Sequence, residues 1–584
     1  MSATVAEAPG SVSEPTRAQA WWSSRWLTVV AGVAIAGLVI GICLWTMFHE
    51  KTFVLDDWFV HQWYIWHQEG SLRAQGLPSL FAHDTAGVFD PHFAFYAGTL
   101  YTISAVMALI VGYHTAYLIS WLLAFAMAYG AWFWLARQAG LGPWASHAPG
   151  VFFVTSTWYL GAAYMMGSWP QTVAFGAFLL SLAATISILR AERLRPLPAL
   201  ALAVGVILYT SSHNVTLLWA TTVLLIVGTV AFVVIPSLRT LVTRQGLLRL
   251  AVVAAPAVLV NAWFLLPALA YQSHTVIASN VDAAHGMLLN AIDGTTPQHL
   301  FSLGRKRVDP LLPRLAVQLP LLATGWIVAT LLIVRPKRSS PWLRATLLLL
   351  VVAVATWALM TRGSLINGLP HPYDMLQNPF RLEAYIHLAI GGALIASLVL
   401  TRRAGPRRRL WAWVIAGILV VSVVQARQQV REPLPTTPGA VWTTPLPYLM
   451  SESKHATSDY TDANVPLYVE DRTFKHVRFP PAMAEHEDRA EATVNAQPGE
   501  VVSSNLKASP ELIHVTGASI IARSDLGDSY LEIDADAKPG AAHIVVTTAH
   551  PWPVTFGRLL TLFGLLGLAG LGVALLARAR RSGV

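Results

Sequence analysis

Residues 26–59 read WLTVVAGVAIAGLVIGICLWTMFHEKTFVLDDWF. No charged side chain interrupts Trp26 to Met47, and as a helix rising 1.5 Å per residue that run is about 33 Å long, enough to cross the hydrocarbon of a bilayer. It is too long for the core of a signal peptide and lacks a small-residue cleavage pattern, so it reads as a retained first helix behind a Ser/Ala/Pro-rich tail, 1–25. A few residues later stand two adjacent carboxylates, Asp56 and Asp57, followed by an aromatic-rich segment.

Working outward, the composition agrees. Of 584 residues, 54% are hydrophobic and only 12% charged, which places the chain among polytopic membrane proteins. The net charge of +9 comes mostly from arginines in short loops between apolar runs, the pattern of cytoplasmic loops, so it reports topology and not a nucleic-acid partner. A single cysteine, Cys43, excludes an intrachain disulfide and a thiolate metal site.

Apolar runs recur at 26–47, 93–113, 114–136, 146–166, 169–189, 197–213, 215–235, 248–270, 314–334, 342–361, 381–400, 409–426 and 556–577. Loops beginning at Arg190, Arg239, Arg335 and Arg402, and the tail from Arg578, are expected in the cytoplasm. Loops 48–92, 271–313 and 362–380 and the segment 427–555 then face out. Four runs between His92 and Arg190 conflict with that assignment, because passing from one face to the other takes an odd number of crossings. One of them is expected to be re-entrant or flat, or two short ones to make a single crossing. The expectation is twelve transmembrane helices, with fourteen as the alternative, and both termini in the cytoplasm. Between 427 and 555 short alternating runs such as YLEID and AHIVVTT, separated by turn residues, predict a small β domain outside the membrane, tethered at 556–577 by the last helix.

Chemistry-bearing residues gather in the outward loops. If 57–69 is helical, side chains of consecutive residues diverge by about 100°, so one of Asp56 and Asp57 reaches a cavity as a base while the other caps the helix; alternatively both serve only as cap and first-turn acid. His61 lies on the same helix. In FDPHFAFY (89–96), Asp90 and His92 are suited to a divalent cation or to orienting a hydroxyl, or else form an Asp-Pro turn with an interfacial histidine. Arg305, Lys306 and Arg307 sit on the face where basic residues are rare, which fits an anionic ligand such as a lipid phosphate, or headgroup snorkelling. Arg381, at the outer start of a helix, is costly there and suited to grip a phosphate; Asp374 is its alternative salt-bridge partner. His213, in SSHNV, is a polar group at the outer rim.

VLDDWF (54–59), FDPHFAFYAGTLY (89–101), SSHNVTLLWA (211–220), NAWFLLPALAYQ (261–272) and LQNPFRLEAYIHLAIGG (376–392) together resemble bacterial membrane proteins called pyruvoyl-tetrahydropterin-synthase-related. Through them the chain is similar to the GT-C glycosyltransferase superfamily, which includes actinobacterial arabinofuranosyltransferases and protein mannosyltransferases. The resemblance covers most of 26–400. It implies transfer of a sugar, arabinofuranose or mannose, from a polyprenyl-phosphate donor to a cell-envelope glycan or lipid-linked acceptor at the outer face of a bacterial plasma membrane. In that family an acid of the first outer loop, matched here by Asp56 or Asp57, engages the acceptor hydroxyl as base. A later acid, matched by Asp90, helps to bind a metal such as Mg, Mn or Ca. Basic residues of later loops, by position Arg381 and Arg305, hold the donor phosphate. This chain departs from the pattern at Gln171, where related sequences often carry an acid. A lipid or polysaccharide transporter and a noncatalytic envelope-assembly protein are the competing classes.

Overall fold

The computed structural model of the protein describes residues 25–49, 57–83, 87–164, 167–276, 319–360, 365–366, 368–370, 373, 376, 379–402, 407–431, 464–468, 474–479, 489–524 and 527–581. In chain order the helices are α1 (Arg25–His49), α2 (Trp58–Gln75), α3 (Gly98–Val111), α4 (Tyr113–Gln138), α5 (Ala148–Val154), α6 (Thr157–Tyr164), α7 (Trp169–Arg190), α8 (Pro196–Thr210) and α9 (Asn214–Val234). They continue with α10 (Arg244–Leu259), α11 (Ala262–Tyr271), α12 (Leu319–Val334), α13 (Pro341–Met360), α14 (Glu383–Thr401), α15 (Arg407–Arg431) and α16 (Trp552–Arg581).

Among the described residues eight helices are long and apolar enough to cross a membrane, or nine if the pair α10 and α11, bent by 73°, is one span. Three more apolar helices, Gly98–Val111, Pro196–Thr210 and Pro320–Val334, are shorter. That is fewer long spans than the twelve expected from the apolar runs, because 14 to 16 helical residues rise only about 21 to 24 Å against a hydrocarbon core of about 30 Å. Large apolar side chains such as Val33, Leu38, Leu225, Val351, Leu562 and Phe563 are exposed around the bundle, as lipid-facing positions must be.

The four runs between 93 and 190 have a clear solution. Trp169, at the start of α7, packs against Tyr117 near the start of α4, at 5.7 Å between ring centroids. At the opposite ends, Arg190 donates to the Gln138 carbonyl at 2.6 Å and Gln138 to the Ala183 carbonyl at 2.8 Å. Helices α4 and α7 therefore run in the same direction, and the chain between them returns through α5 and α6. That return is broken at Thr155 and Ser156: Thr155 Oγ1 donates to the Val151 carbonyl at 2.7 Å, and Ser156 Oγ accepts from the Tyr159 amide at 3.2 Å. Tyr159 OH donates to the Ala124 carbonyl at 3.2 Å. A non-helical step at this depth survives because protein surrounds it and side chains meet its polar groups. Helix α3, by contrast, makes no traverse. Its Tyr101 meets His61 of α2, and His114, just past its end, meets Gln62 of the same helix at 2.6 Å. Three end-to-end passages and one helix with both ends beside α2 resolve the parity conflict.

At the far end, Arg239 from its loop and Arg344 from the first turn of α13 cap the C-terminus of α9, on the Phe232 and Val233 carbonyls and the Val234 carbonyl respectively, where the helix dipole favours cations.

Among the described residues seven strands form the β region: β1 (Lys475–Val477), β2 (Arg489–Val494), β3 (Val501–Lys507), β4 (Ile513–Thr516), β5 (Ala518–Arg523), β6 (Asp528–Ile533) and β7 (Ala542–Thr548). One sheet has the order β1-β3-β6-β5, the other β2-β7-β4, with only β1 and β3 parallel. Alternate residues such as Ala542, Ile544 and Val546 turn inward. The core they enter also contains Phe81, Val88, Phe89 and Phe95 from the first loop and Trp263 and Phe264 from α11. Helix α15 runs to Arg431 and α16 begins at Trp552, so both helices reach further toward the β region than the runs 409–426 and 556–577.

Candidate active site

Helix α2 is rich in aromatic and polar residues and is largely buried, with Trp58, His61, Trp63, Tyr64 and His67 among its buried side chains. Its first helical residue is Trp58, and Asp57 occupies the N-cap position with helical backbone angles and no side-chain capping bond. The expectation that Asp57 lies inside the helix is thereby corrected: its carbonyl accepts from the His61 amide at 3.0 Å, while its exposed carboxylate is not used as a cap. Asp56 lies outside the described residues, as do Asp374, Arg305, Lys306 and Arg307.

A strap from Leu77 to Tyr96 follows α2 and is fastened to it side chain by side chain. Gln68 exchanges two hydrogen bonds with the Ser79 backbone, at 2.8 and 3.1 Å. His67 Nε2 accepts from the His83 amide and His83 Nδ1 from the Phe89 amide, each at 3.1 Å. Asp90 is buried, and its backbone pairs with that of Ala82 at 2.7 and 3.0 Å. Phe89 (φ 58°) and Ala97 (φ 51°) both adopt the left-handed conformation, which costs a non-glycine residue roughly 1 kcal/mol or more. Between these two strained points the chain makes a single helical turn, His92–Phe95, and delivers His92 and Tyr96 inward.

His92 stacks on Tyr64 with centroids 3.9 Å apart and meets Tyr96 edge-on at 5.4 Å. Tyr96 in turn meets His213 at 5.8 Å. His213 accepts at Nε2 from the Arg381 guanidinium at 3.0 Å. Asn214 donates to the Phe95 carbonyl at 2.9 Å, tying the start of α9 to the same turn.

Tyr96 reports the field at the centre. Burial raises the pKa of its hydroxyl, the Asp57 carboxylate raises it further, and the Arg381 guanidinium lowers it. An acid from the start of α2 and a guanidinium from the turn before α14 thus act on one part-buried phenol. Around it the imidazoles are neutral. Burial pushes His61 down to about 3. His92 falls well below the usual range through burial and then His61, and His213 does so through burial, Arg381 and His61. His61 Nδ1 bonds the Tyr101 hydroxyl at 2.6 Å, while its Nε2 has no partner among the described residues.

The expected residues Asp57, His61, His92, His213 and Arg381 therefore come together. Tyr96, Tyr101 and Tyr64 complete the site and were not singled out from the sequence. Tyr96 stands inside the quoted FDPHFAFY motif, but an aromatic among aromatics carries no signal of its own. Asp90 is placed close behind His92, yet among the described residues no three imidazoles, carboxylates or thiolates converge on a point that could hold a metal. Gln171 is buried and its side-chain oxygen accepts from Ser168 Oγ at 3.3 Å, so a neutral amide stands where a charged ligand would be needed. Among the described residues no set of side chains fits a resident divalent cation.

No protein-family model matches the chain, and no curated protein matches it in sequence. Among solved structures, the arabinofuranosyltransferase AftD from mycobacteria is similar at 16% identity with a TM-score of 0.44 over 71% of this chain, which spans 27% of AftD. ArnT from Cupriavidus metallidurans, bound to undecaprenyl phosphate, is similar at 13% identity and a TM-score of 0.28, over 65% of this chain and 78% of ArnT. At such scores neither likeness carries an argument about fold or activity.

Proposed function

We propose that the protein is a GT-C-type membrane glycosyltransferase. It transfers a sugar, arabinofuranose or mannose, from a polyprenyl-phosphate donor to a cell-envelope glycan or lipid-linked acceptor, on the extracytoplasmic face of a bacterial plasma membrane. The observation that carries this reading is that the Asp57 carboxylate and the Arg381 guanidinium, which His213 meets at 3.0 Å, both act on Tyr96, an acid and a cation facing one part-buried phenol. The order of the five sequence motifs supports it independently.

Transfer needs two things. The acceptor hydroxyl must lose its proton as its oxygen bonds the anomeric carbon, and the lipid phosphate must leave with the electron pair of the broken carbon–oxygen bond. Asp57, exposed and not engaged in capping, takes the proton. Arg381 neutralises the charge growing on the leaving phosphate. The neighbouring histidines, whose pKa burial lowers, add no charge that would compete for either partner. In this reading the eight long helices, the bent pair, the broken run through α5 and α6, and the short helices α8 and α12 each cross the bilayer. Helix α3 lies at the outer surface. That gives the twelve crossings expected from the sequence and keeps both termini in the cytoplasm.

Purified protein in proteoliposomes, given radiolabelled polyprenyl-phosphate arabinose or mannose and a glycan acceptor, is expected to transfer label. Asp57→Asn should reduce the rate by about 10²-fold or more, as loss of a general base does. Transfer at the wild-type rate by the asparagine variant would remove Asp57 from the mechanism. Donor binding without transfer would favour a transporter.

A further inference from the structure

His213 is buried, 6% exposed, at the N-cap of α9, and both of its ring nitrogens are engaged. Nε2 lies 3.0 Å from a terminal guanidinium nitrogen of Arg381. Nδ1 lies 3.3 Å from both the backbone nitrogen and the hydroxyl oxygen of Thr216. A guanidinium has five donors and no acceptor, so Nε2 must present a lone pair to it. A neutral ring then carries its proton on Nδ1, where the Thr216 hydroxyl accepts it. The backbone N–H of Thr216, which a capping side chain would ordinarily accept, faces the same nitrogen, which in this tautomer has no lone pair to offer it. His213 is therefore a compromised cap, and the tautomer that makes it so is the one that holds Arg381.

We propose that His213 is the positioning residue for Arg381, its Nε2 lone pair fixing the guanidinium beside Tyr96 to receive the phosphate of the polyprenyl-phosphate donor. This rests on the reading of the site as a polyprenyl-phosphate glycosyltransferase. The next residue along the chain contributes as well. Asn214 anchors the Phe95 carbonyl, so adjacent residues at the head of α9 fix the guanidinium on one side and the turn bearing Tyr96 on the other. A histidine suits the position better than a carboxylate, because it orients the guanidinium without neutralising the charge that the phosphate must meet.

The two roles of His213 separate by substitution. Asparagine is a good N-cap but one methylene shorter than glutamine, so His213→Asn keeps the cap and loses the reach to Arg381. Glutamine reaches, and its side-chain oxygen accepts from a guanidinium. Binding of undecaprenyl phosphate to the full-length protein in nanodiscs is measured for the wild type, His213→Asn, His213→Ala, His213→Gln, Arg381→Ala and the double variant His213→Ala/Arg381→Ala. The expected dissociation constant rises about tenfold in the asparagine and alanine variants, the scale of a lost bond to a charged group, and returns to within about threefold of wild type in the glutamine variant. Melting temperature should follow the other order, with asparagine close to wild type. In the Arg381→Ala background the His213 change should add nothing, because the two act as one unit. Wild-type affinity in the asparagine and alanine variants, or losses that add in the double variant, would overturn the positioning role while leaving the glycosyltransferase reading standing. Failure of the wild-type protein to bind undecaprenyl phosphate would overturn both.

Discussion

At the scale of single residues the site is built from groups kept neutral by burial around one exposed acid and one half-buried guanidinium. His61 makes this testable through pH. Its folded pKa is held down to about 3, against roughly 6.5 in an unfolded chain. Between those values the unfolded chain binds a proton that the folded one refuses, so the contribution of His61 to stability falls as pH falls from about 6.5. From pH 7 to 5 the loss is on the order of 2 kcal/mol at this site. His61→Gln retains a partner for Tyr101 but has no ionisable group. Its melting temperature should therefore decline less steeply than wild type between pH 7 and 5, and parallel slopes would refute the assignment. Residue chemistry also explains why Asp57 and Arg381 are legible in the sequence: charge is so rare in this chain that each instance invites a reason. Tyr96 was not legible, since its distinction lies in which charges face it.

At the scale of elements the bent pair α10 and α11 is held against the last helix by glycines. A Cβ at Gly557 would lie 2.5 Å from the Ala262 carbonyl oxygen, and one at Gly564 would lie 2.7 Å from the Pro256 carbonyl oxygen and the Val260 nitrogen. Such close backbone approach is the use membrane helices make of small residues. Gly564→Leu is expected to destabilise the protein by roughly 1 to 3 kcal/mol through overpacking, read as a lower melting temperature in detergent. At Gly570 on the same helix a Cβ meets nothing within 4 Å, so Gly570→Leu should be close to neutral. Equal effects at the two sites would mean that the approach is not tight. The elements also show where hydropathy misleads. Runs 93–113 and 146–166 look alike in sequence, yet the first begins with a turn and continues as a helix with both ends beside α2, while the second is a buried, broken traverse.

At the scale of the whole molecule the strap of the first loop joins the β region to the helices. Val88 donates to the Asn505 carbonyl at 2.8 Å and accepts from the Lys507 amide at 2.9 Å, extending the sheet by one residue. Lys507 is buried and pairs with Asp528 at 2.9 Å. The same strap carries His92 and Tyr96 a few residues on, so the β region bears directly on the site. Val88→Pro removes one of the two backbone bonds. It is expected to raise hydrogen exchange at 505–507 and to lower sugar transfer by about tenfold, as a small displacement of a positioned group does. Unchanged transfer with raised exchange would mean that the β region merely sits nearby.

The sequence by itself determined that this is a helical membrane protein and that a small β region precedes the last helix. Those properties follow from local quantities: the length of an apolar run and the period of alternation. Only the tertiary structure decided which runs traverse the bundle, that Asp57 stands at the head of its helix with its carboxylate outside the capping network, and that Arg381 meets His213. The Arg381–His213 contact joins residues 168 positions apart, and such meetings depend on how side chains fill space between helices, which no local pattern encodes.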